Sequence, residues 1–172
     1  PNDVRVAMVV EQMWQPVPGG SGTYITNLAH SLRAQGVKVA GIAARRSHND
    51  PGSSAVGLET MPVRYANLPR PALYESWNRL HSPLAEAILP ASDLVHATTW
   101  AIPPTRKPLV VTVHDLAFLR NPEHFTKRGN SYFRKSLQRT IKEAQAVIVP
   151  SQATADDCYE AGIDSERVHV IP

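Results

Sequence analysis

The chain has 172 residues and a formal net charge of +3, and 42% of its residues are hydrophobic while 19% are charged. These values indicate one soluble globular domain with a full hydrophobic core, whose mild positive charge permits contact with anionic substrates or membranes without requiring either. Cys158 is the only cysteine, which excludes an internal disulfide, argues against a cysteine-based metal site and fits a reducing, cytoplasmic setting. The longest apolar runs are strand-sized, which argues against a membrane-spanning helix.

Short apolar runs along the chain predict seven strands. They lie at Val4–Val10, Val37–Ala43, Met61–Tyr65, Leu94–Ala97, Leu109–Val113, Ala146–Val149 and Val168–Ile171. Helices are predicted between them at Ala72–Leu80, at Leu84–Leu89, at Asn130–Ala144 and from Ser151 to Gly162. Most strands are apolar on both faces, which is typical of a doubly wound, mainly parallel α/β sheet with helices on both faces, a Rossmann-like fold.

Another helix is predicted directly after the first strand. Four apolar residues at helical spacing form its buried stripe: Ile25, Leu28, Ala29 and Leu32. Ser21 or Thr23 is expected to cap the N-terminus of this helix, and Gly36 is expected to end it.

The segment Gly19-Gly20-Ser21-Gly22 lies between the first strand and this helix. Glycines this close together allow positive φ and let an anion approach the main chain, while the helix that follows directs free N–H groups and its dipole at the same corner. We therefore expect these four residues to bind a phosphate, with Gly20 closest to it. One alternative is a plain tight turn. Another is a dinucleotide-binding turn, which Ile25 disfavours at the third glycine position and which Arg45 and Arg46 would suit as contacts to a 2′-phosphate.

His114 and Asp115 directly follow the strand Leu109–Val113, at the end where ligands of parallel sheets bind. An imidazole can donate or accept a hydrogen bond and can change its charge near neutral pH, and Asp115 is expected to orient it through a ring nitrogen. The sequence therefore offers both as catalytic candidates, and the alternative is a hydrogen-bonded pair with no catalytic role. The chain has no serine or cysteine nucleophile motif and no paired histidines at metal-binding spacing, so neither a hydrolase triad nor a metal site is expected.

The predicted helix Asn130–Ala144 has an apolar and a basic side. Its apolar side is formed by Phe133, Leu137 and Ile141. Four cations are assigned to the opposite side: Arg128, Lys135, Arg139 and Lys142. Such a surface can bind anionic lipid headgroups at about 1 kcal/mol per cation, and the alternative is an ordinary solvated face. Nucleic acid is not expected as a partner, because few aromatic residues lie nearby and no known module is present.

Two aromatic residues, Trp14 and Tyr24, flank the glycine segment. Sugars stack on aromatic rings, so both are candidate acceptor contacts, together with Arg120; packing is an equally good explanation of the two rings.

Taken together, these segments resemble the N-terminal, acceptor-side domain of retaining glycosyltransferases of family four, which have the GT-B fold. The matching pieces are Gly19–Gly22 with its helix, Thr112–Leu116, Ala146–Ser151 and Val168–Pro172, in the expected order. The resemblance implies two Rossmann-like domains that face each other across a cleft. Residues 1–172 would be the first domain, the C-terminal donor-binding domain would be absent, and the fragment alone would be inactive.

The resemblance also implies roles for single residues. The backbone of Gly20 would contact the diphosphate of a nucleotide-sugar donor, His114 would contact the transferred sugar, and Ser151 would lie near the cleft. Transfer would retain the anomeric configuration and need no metal or other cofactor, because fixed positive groups and helix dipoles stabilise the leaving diphosphate. Two alternatives stay open: a stand-alone module that binds an anionic membrane or a ligand, and half of a GT-B nucleotide-sugar epimerase.

Overall fold

The computed structural model describes residues 4–14, 19–45 and 61–172, and for residues 14 and 19–21 it describes the backbone only. Within these ranges seven strands form one sheet: β1 Arg5–Val9, β2 Lys38–Ala43, β3 Val63–Tyr65, β4 Leu94–Ala97, β5 Leu109–Thr112, β6 Ala146–Val149 and β7 Val168–Val170. Their order is β3-β2-β1-β4-β5-β6-β7, and every neighbouring pair is parallel. The predicted doubly wound α/β fold is confirmed.

Helices connect the strands in the described part of the chain: α1 Gly19–Ala34, α2 Arg70–Arg79, α3 Ala85–Ile88, α4 Ala117–Arg120, α5 Lys127–Glu143 and α6 Gln152–Ala161. Helix α5 begins three residues before its expected start, because the Thr126 hydroxyl accepts a hydrogen bond from the Gly129 N–H at 2.9 Å and caps it. No helix among the described residues is both long and apolar enough to cross a bilayer.

Three of the predicted helix-capping residues are confirmed. Gly36 has φ +84° and Gly162 has φ +107°, so both glycines end a helix in the left-handed conformation that other residues avoid. Ser151 caps α6 by accepting a hydrogen bond from the Thr154 N–H at 3.2 Å. The predicted cap of α1 is wrong, because α1 begins at Gly19 and both Ser21 and Thr23 lie inside it. Glycine costs about 1 kcal/mol in a helix, which is small against the packing of α1 on the sheet.

The two faces of the sheet bury separate cores. In β1 and the residue directly after it, Ala7 and Val9 belong to one core and Met8 and Val10 to the other, because successive side chains of extended chain point to opposite faces. The larger core is covered by helices that include α2, α5 and α6, and the smaller by α1. Both faces are therefore apolar, as the composition of the strands predicts.

The order of the strands fixes where a ligand can bind. The chain runs outward from β1 through β2 and β3, then crosses to β4 and continues outward on the other side. The connections after β1 and β4 therefore diverge and leave a crevice at the carboxyl ends of these strands, which is the usual ligand site of such sheets.

Candidate functional site

The N-terminal turn of α1 and His114 lie at the same edge of the sheet. Tyr24 follows Gly20 by about one helical turn. Its ring packs edge-on against the ring of His114, with the centroids 5.1 Å apart and an interplanar angle of 89°. The structure thus brings together the two features that the sequence singled out, although they are far apart in the chain.

The residues Gly19–Gly22 form the first turn of α1 rather than a separate loop. Positive φ is therefore not what these glycines provide, and that part of the expectation is wrong, because the helix extends to include them. The backbone N–H groups of a first helical turn have no partners within the helix, and the helix dipole adds positive potential there. Glycine at positions 19 and 20 means that no side chain at these two residues hinders an anion that approaches the backbone.

His114 is half-buried, and its Nε2 atom lies 2.9 Å from the carbonyl oxygen of Thr98, which follows β4. A carbonyl oxygen can only accept a hydrogen bond, so Nε2 carries the proton. The other ring nitrogen, Nδ1, is therefore the hydrogen-bond acceptor of the neutral ring. Thr98 thus fixes which nitrogen of His114 is available to a ligand.

Asp115 does not orient His114, and this expected pairing is wrong. Its Oδ1 atom accepts a hydrogen bond from the Ala117 N–H at 2.9 Å, at the start of α4. Short carboxylates readily bond the backbone two residues ahead, and this local turn competes successfully with the imidazole. Asp115 nevertheless lines the same pocket as His114, so its carboxylate is within the site.

A hydrogen-bond network centred on Thr112 holds the Tyr24 ring in its position against His114. The Thr112 hydroxyl lies 2.7 Å from Nε2 of His96 and 2.9 Å from the Tyr24 hydroxyl. Burial lowers the pKa of His96 to about 4, and the nearby His114 acts in the same direction. Burial also raises the pKa of Tyr24, although its hydrogen bond to Thr112 opposes that shift. Both side chains are therefore uncharged near neutral pH, and the network fixes the Tyr24 ring against His114.

A pocket of about 360 Å³ opens beside His114. Its polar lining comes mainly from segments at or just beyond strand ends: Gln12, Thr99, Thr112, His114 and Asp115. Its aromatic lining comes mainly from the helices and the connections next to them: Tyr74, Trp100, Phe118, Phe125, Tyr132 and Phe133. Pockets of this size with many apolar and few polar groups commonly bind small molecules.

The remaining predicted site residues are Trp14, Arg120 and Ser151, and none of them is among the residues described as lining this pocket. The side chain of Trp14 lies outside the described residues. Arg120 is paired with Asp157 of α6 and is not among the residues that line the pocket beside His114, so its role as an acceptor contact stays a prediction. Ser151 lies just beyond β6, at the same edge of the sheet as His114, and its hydroxyl caps α6.

The predicted basic face of α5 requires one correction. Arg139 is buried, because α2 covers that flank of the helix. Its guanidinium donates to Glu143 at 2.9 Å, to Asn78 at 3.0 Å and to the carbonyl oxygen of Ile102 at 2.5 Å. The remaining three cations of the predicted face are exposed: Arg128, Lys135 and Lys142.

Several residues of the site were not predicted from the sequence. The most important are His96, Thr98, Thr112 and the aromatic lining of the pocket. A histidine within the apolar run Leu94–Ala97 was a detectable signal, since a buried imidazole needs a partner. In the described part of the chain, no three His, Cys, Asp or Glu side chains converge on a point that could hold a metal ion.

Solved structures with the same fold include those of Alr3699/HepE from Anabaena. The chain superposes on its complex with UDP and glucose with a TM-score of 0.58 and 21% identity, covering 98% of this chain and 44% of that one. The complex with UDP-glucose gives a TM-score of 0.59 and 21% identity, with 97% and 43% covered. The chain therefore spans less than half the length of these proteins. At this identity the match shows the fold, a Rossmann-like part of a GT-B structure.

Comparison with curated proteins gives no match. The family model described as Glycosyltransferase Family 4 matches residues 18–172. The matched range includes the glycine turn, the hydrogen-bond network around Thr112, and His114. This match covers most of the sequence, and the chain belongs to glycosyltransferase family 4.

Proposed function

We propose that the chain is the acceptor-side domain of a retaining glycosyltransferase, which transfers a hexosyl group from a nucleotide sugar to an acceptor. The observation that carries this proposal is the contact of Tyr24 with His114, because it sets the N-terminal turn of α1 and an imidazole at one edge of the sheet. Membership of the family and the likeness to proteins solved with UDP and UDP-glucose support it.

In the proposed reaction, the bond between the anomeric carbon of the donor and its diphosphate breaks, and the electron pair leaves with the diphosphate. The oxygen of an acceptor hydroxyl forms the new bond to that carbon from the same face, and its proton passes to the released diphosphate. The free N–H groups of Gly19–Gly22 stabilise the negative charge that develops on the diphosphate. His114 Nδ1 accepts a hydrogen bond from a hydroxyl of the transferred sugar and thereby positions the anomeric carbon.

We further propose that a second, donor-binding domain completes the site. The solved neighbours are more than twice as long as the matched part, so a partner domain across the crevice would supply the remaining donor contacts. On this basis the 172-residue chain alone transfers no sugar. Turnover by the purified chain at a rate typical of an enzyme would contradict this proposal.

The direct test of the reaction is UDP release from UDP-glucose by an enzyme that contains this domain together with a donor-binding domain. We expect His114→Ala to lower kcat by about a hundredfold, a typical loss when one stabilising group is removed from an active site. The exposed His124 provides a matched control, and His124→Ala should leave kcat unchanged. Equal rates for the wild type and His114→Ala would remove the imidazole from the mechanism.

A second proposal concerns location: the domain works in the cytoplasm and docks on anionic membranes through α5. Its exposed cations Arg128, Lys135 and Lys142 share one side of the helix, and Arg128 has only the distant Glu75, at 3.9 Å, as a described ion-pair partner. Each cation near an anionic surface contributes about 1 kcal/mol, so the proposal depends on several acting together.

Co-sedimentation with phosphatidylserine vesicles tests this docking. The double variant Lys135→Glu with Lys142→Glu should bind at least about tenfold more weakly than the wild type, and raised salt should have a similar effect. The exposed Lys38 lies on β2, and Lys38→Glu serves as the control for net charge. Binding to neutral phosphatidylcholine vesicles that equals binding to the anionic ones would contradict the proposal.

A further inference from the structure

Several of the polar groups that line the pocket beside His114 are already engaged with the protein. The Thr112 hydroxyl joins two buried side chains, and the Asp115 carboxylate holds the N–H at the start of α4. The Thr99 hydroxyl accepts a hydrogen bond from the N–H of Ala101 at 3.3 Å. Among the described lining residues, the groups left for a ligand include His114 Nδ1, the Gln12 amide, the second carboxylate oxygen of Asp115 and the buried Tyr132 hydroxyl, which has no hydrogen-bond partner.

The aromatic side of the pocket is a connected set of rings. The ring of Phe118 contacts Trp100 edge-on at 5.6 Å and Phe133 at 5.5 Å. Phe133 in turn meets Phe125 edge-on at 5.7 Å and Tyr132 at 6.0 Å. Three of these four contacts are edge-to-face, an arrangement that aromatic pairs prefer, so the rings fix one another and form a wall before any ligand arrives.

Two kinds of acceptor would fare differently against this wall. A sugar carries hydroxyl groups on every side, and each hydroxyl buried without a partner weakens binding by about tenfold. An apolar body loses no hydrogen bonds with water and gains from leaving it. Because aromatic rings make up much of the described lining and the other polar groups lie mainly at the strand ends, the pocket favours an acceptor that has one polar end and an otherwise apolar, ring-sized body.

We propose that the acceptor is a hydroxyl-bearing aromatic compound, whose rings occupy the pocket lined by Trp100, Phe118 and Phe133 and whose hydroxyl lies beside His114. This inference rests on the proposed glycosyl transfer, because the hydroxyl is the group that would receive the sugar. It goes further by naming the chemical class of the acceptor and the residues that select it.

The test measures binding without any donor, by isothermal titration of the purified protein with 2-naphthol and, separately, with methyl α-glucopyranoside. We expect 2-naphthol to bind at least about tenfold more tightly, since its rings match the wall and its single hydroxyl needs one partner. Ala117 lines the pocket, so Ala117→Phe fills it and should weaken naphthol binding by about tenfold. Phe133→Leu keeps the wall apolar and should weaken binding less.

The control variant is Tyr159→Ala, which removes an aromatic ring from the surface of α6, away from the pocket. It should bind 2-naphthol as the wild type does. The inference is overturned if the methyl glucoside binds as tightly as 2-naphthol, if naphthol does not bind, or if Ala117→Phe binds it unchanged while still folded by circular dichroism. Because no donor is present, these outcomes are independent of the His114→Ala rate, which tests the transfer itself.

Discussion

The buried His96 makes the stability of the domain depend on pH in a way that can be measured. Its side chain is 4% exposed, and burial lowers its pKa from 6.5 to about 4. The folded state therefore keeps this imidazole neutral between pH 6.5 and 4, whereas the unfolded chain takes up a proton in that range. His96 therefore leaves the unfolding free energy of the domain unaffected above pH 6.5 and lowers it progressively as the pH drops toward 4.

The size of the effect follows from the shift. A depression of the pKa from 6.5 to about 4 corresponds to about 3 kcal/mol of unfolding free energy, lost progressively between those two pH values. Urea unfolding followed by circular dichroism at pH 7, 6, 5 and 4 measures it. The variant His96→Gln keeps a polar partner for Thr112 but does not titrate, so we expect a flatter pH dependence than in the wild type.

The control is the exposed His124, and His124→Gln should leave the wild-type pH dependence unchanged. Both variants retain the other titrating groups, so the difference between them isolates the buried imidazole. Identical slopes for the wild type and His96→Gln would refute the reasoning, because they would mean that His96 takes up its proton equally in the folded and unfolded states.

Three further substitutions test separate parts of the structure by urea unfolding at pH 7. Thr112→Val leaves the buried His96 and the half-buried Tyr24 without their shared hydroxyl and should cost about 2–4 kcal/mol, more than Thr112→Ser; the reverse order would contradict the network. Arg139→Ala should cost about 3 kcal/mol, because it removes a buried guanidinium that pairs with the half-buried Glu143 and bonds Asn78 and the Ile102 carbonyl, whereas Lys142→Ala should change stability by less than about 0.5 kcal/mol. Similar values for both variants would mean that Arg139 lies on the surface. Gly162→Ala should cost about 1–2 kcal/mol. The added methyl meets no crowding, so the whole cost comes from the φ of +107°, which residues with a side chain avoid. An unchanged urea midpoint would argue against the left-handed cap.

Features that depend on neighbouring residues in the chain were predictable from the sequence. The strands Leu94–Ala97 and Ala146–Val149 lie where the apolar runs place them, and Gly36 and Gly162 end their helices as glycines usually do. These signals are local: a short apolar run bounded by polar residues, or a glycine after a helical pattern. The parallel sheet was predictable for the same reason, because these local signals showed that helices and strands alternate along the chain.

Features that depend on distant parts of the chain were not predictable in this way. Arg139 has the spacing of an exposed residue on α5, and only the packing of α2 against that helix buries it. The aromatic lining of the pocket joins residues from α2, α4 and α5 and from the connections after β4 and before α5, which no sequence pattern places together. For Asp115, the competing bond is local, and the turn chemistry of aspartate would have been a better guide than its neighbour in sequence.

The central claim is that the first turn of α1 and His114 form one wall of the nucleotide-sugar site. Backbone amide NMR of the protein during titration with UDP-glucose tests it most directly. We expect the largest chemical-shift changes at Gly20, Gly22 and His114, and none at the exposed Lys38 on β2. Shifts confined to residues outside the carboxyl edge of β1, β4 and β5 would contradict the claim.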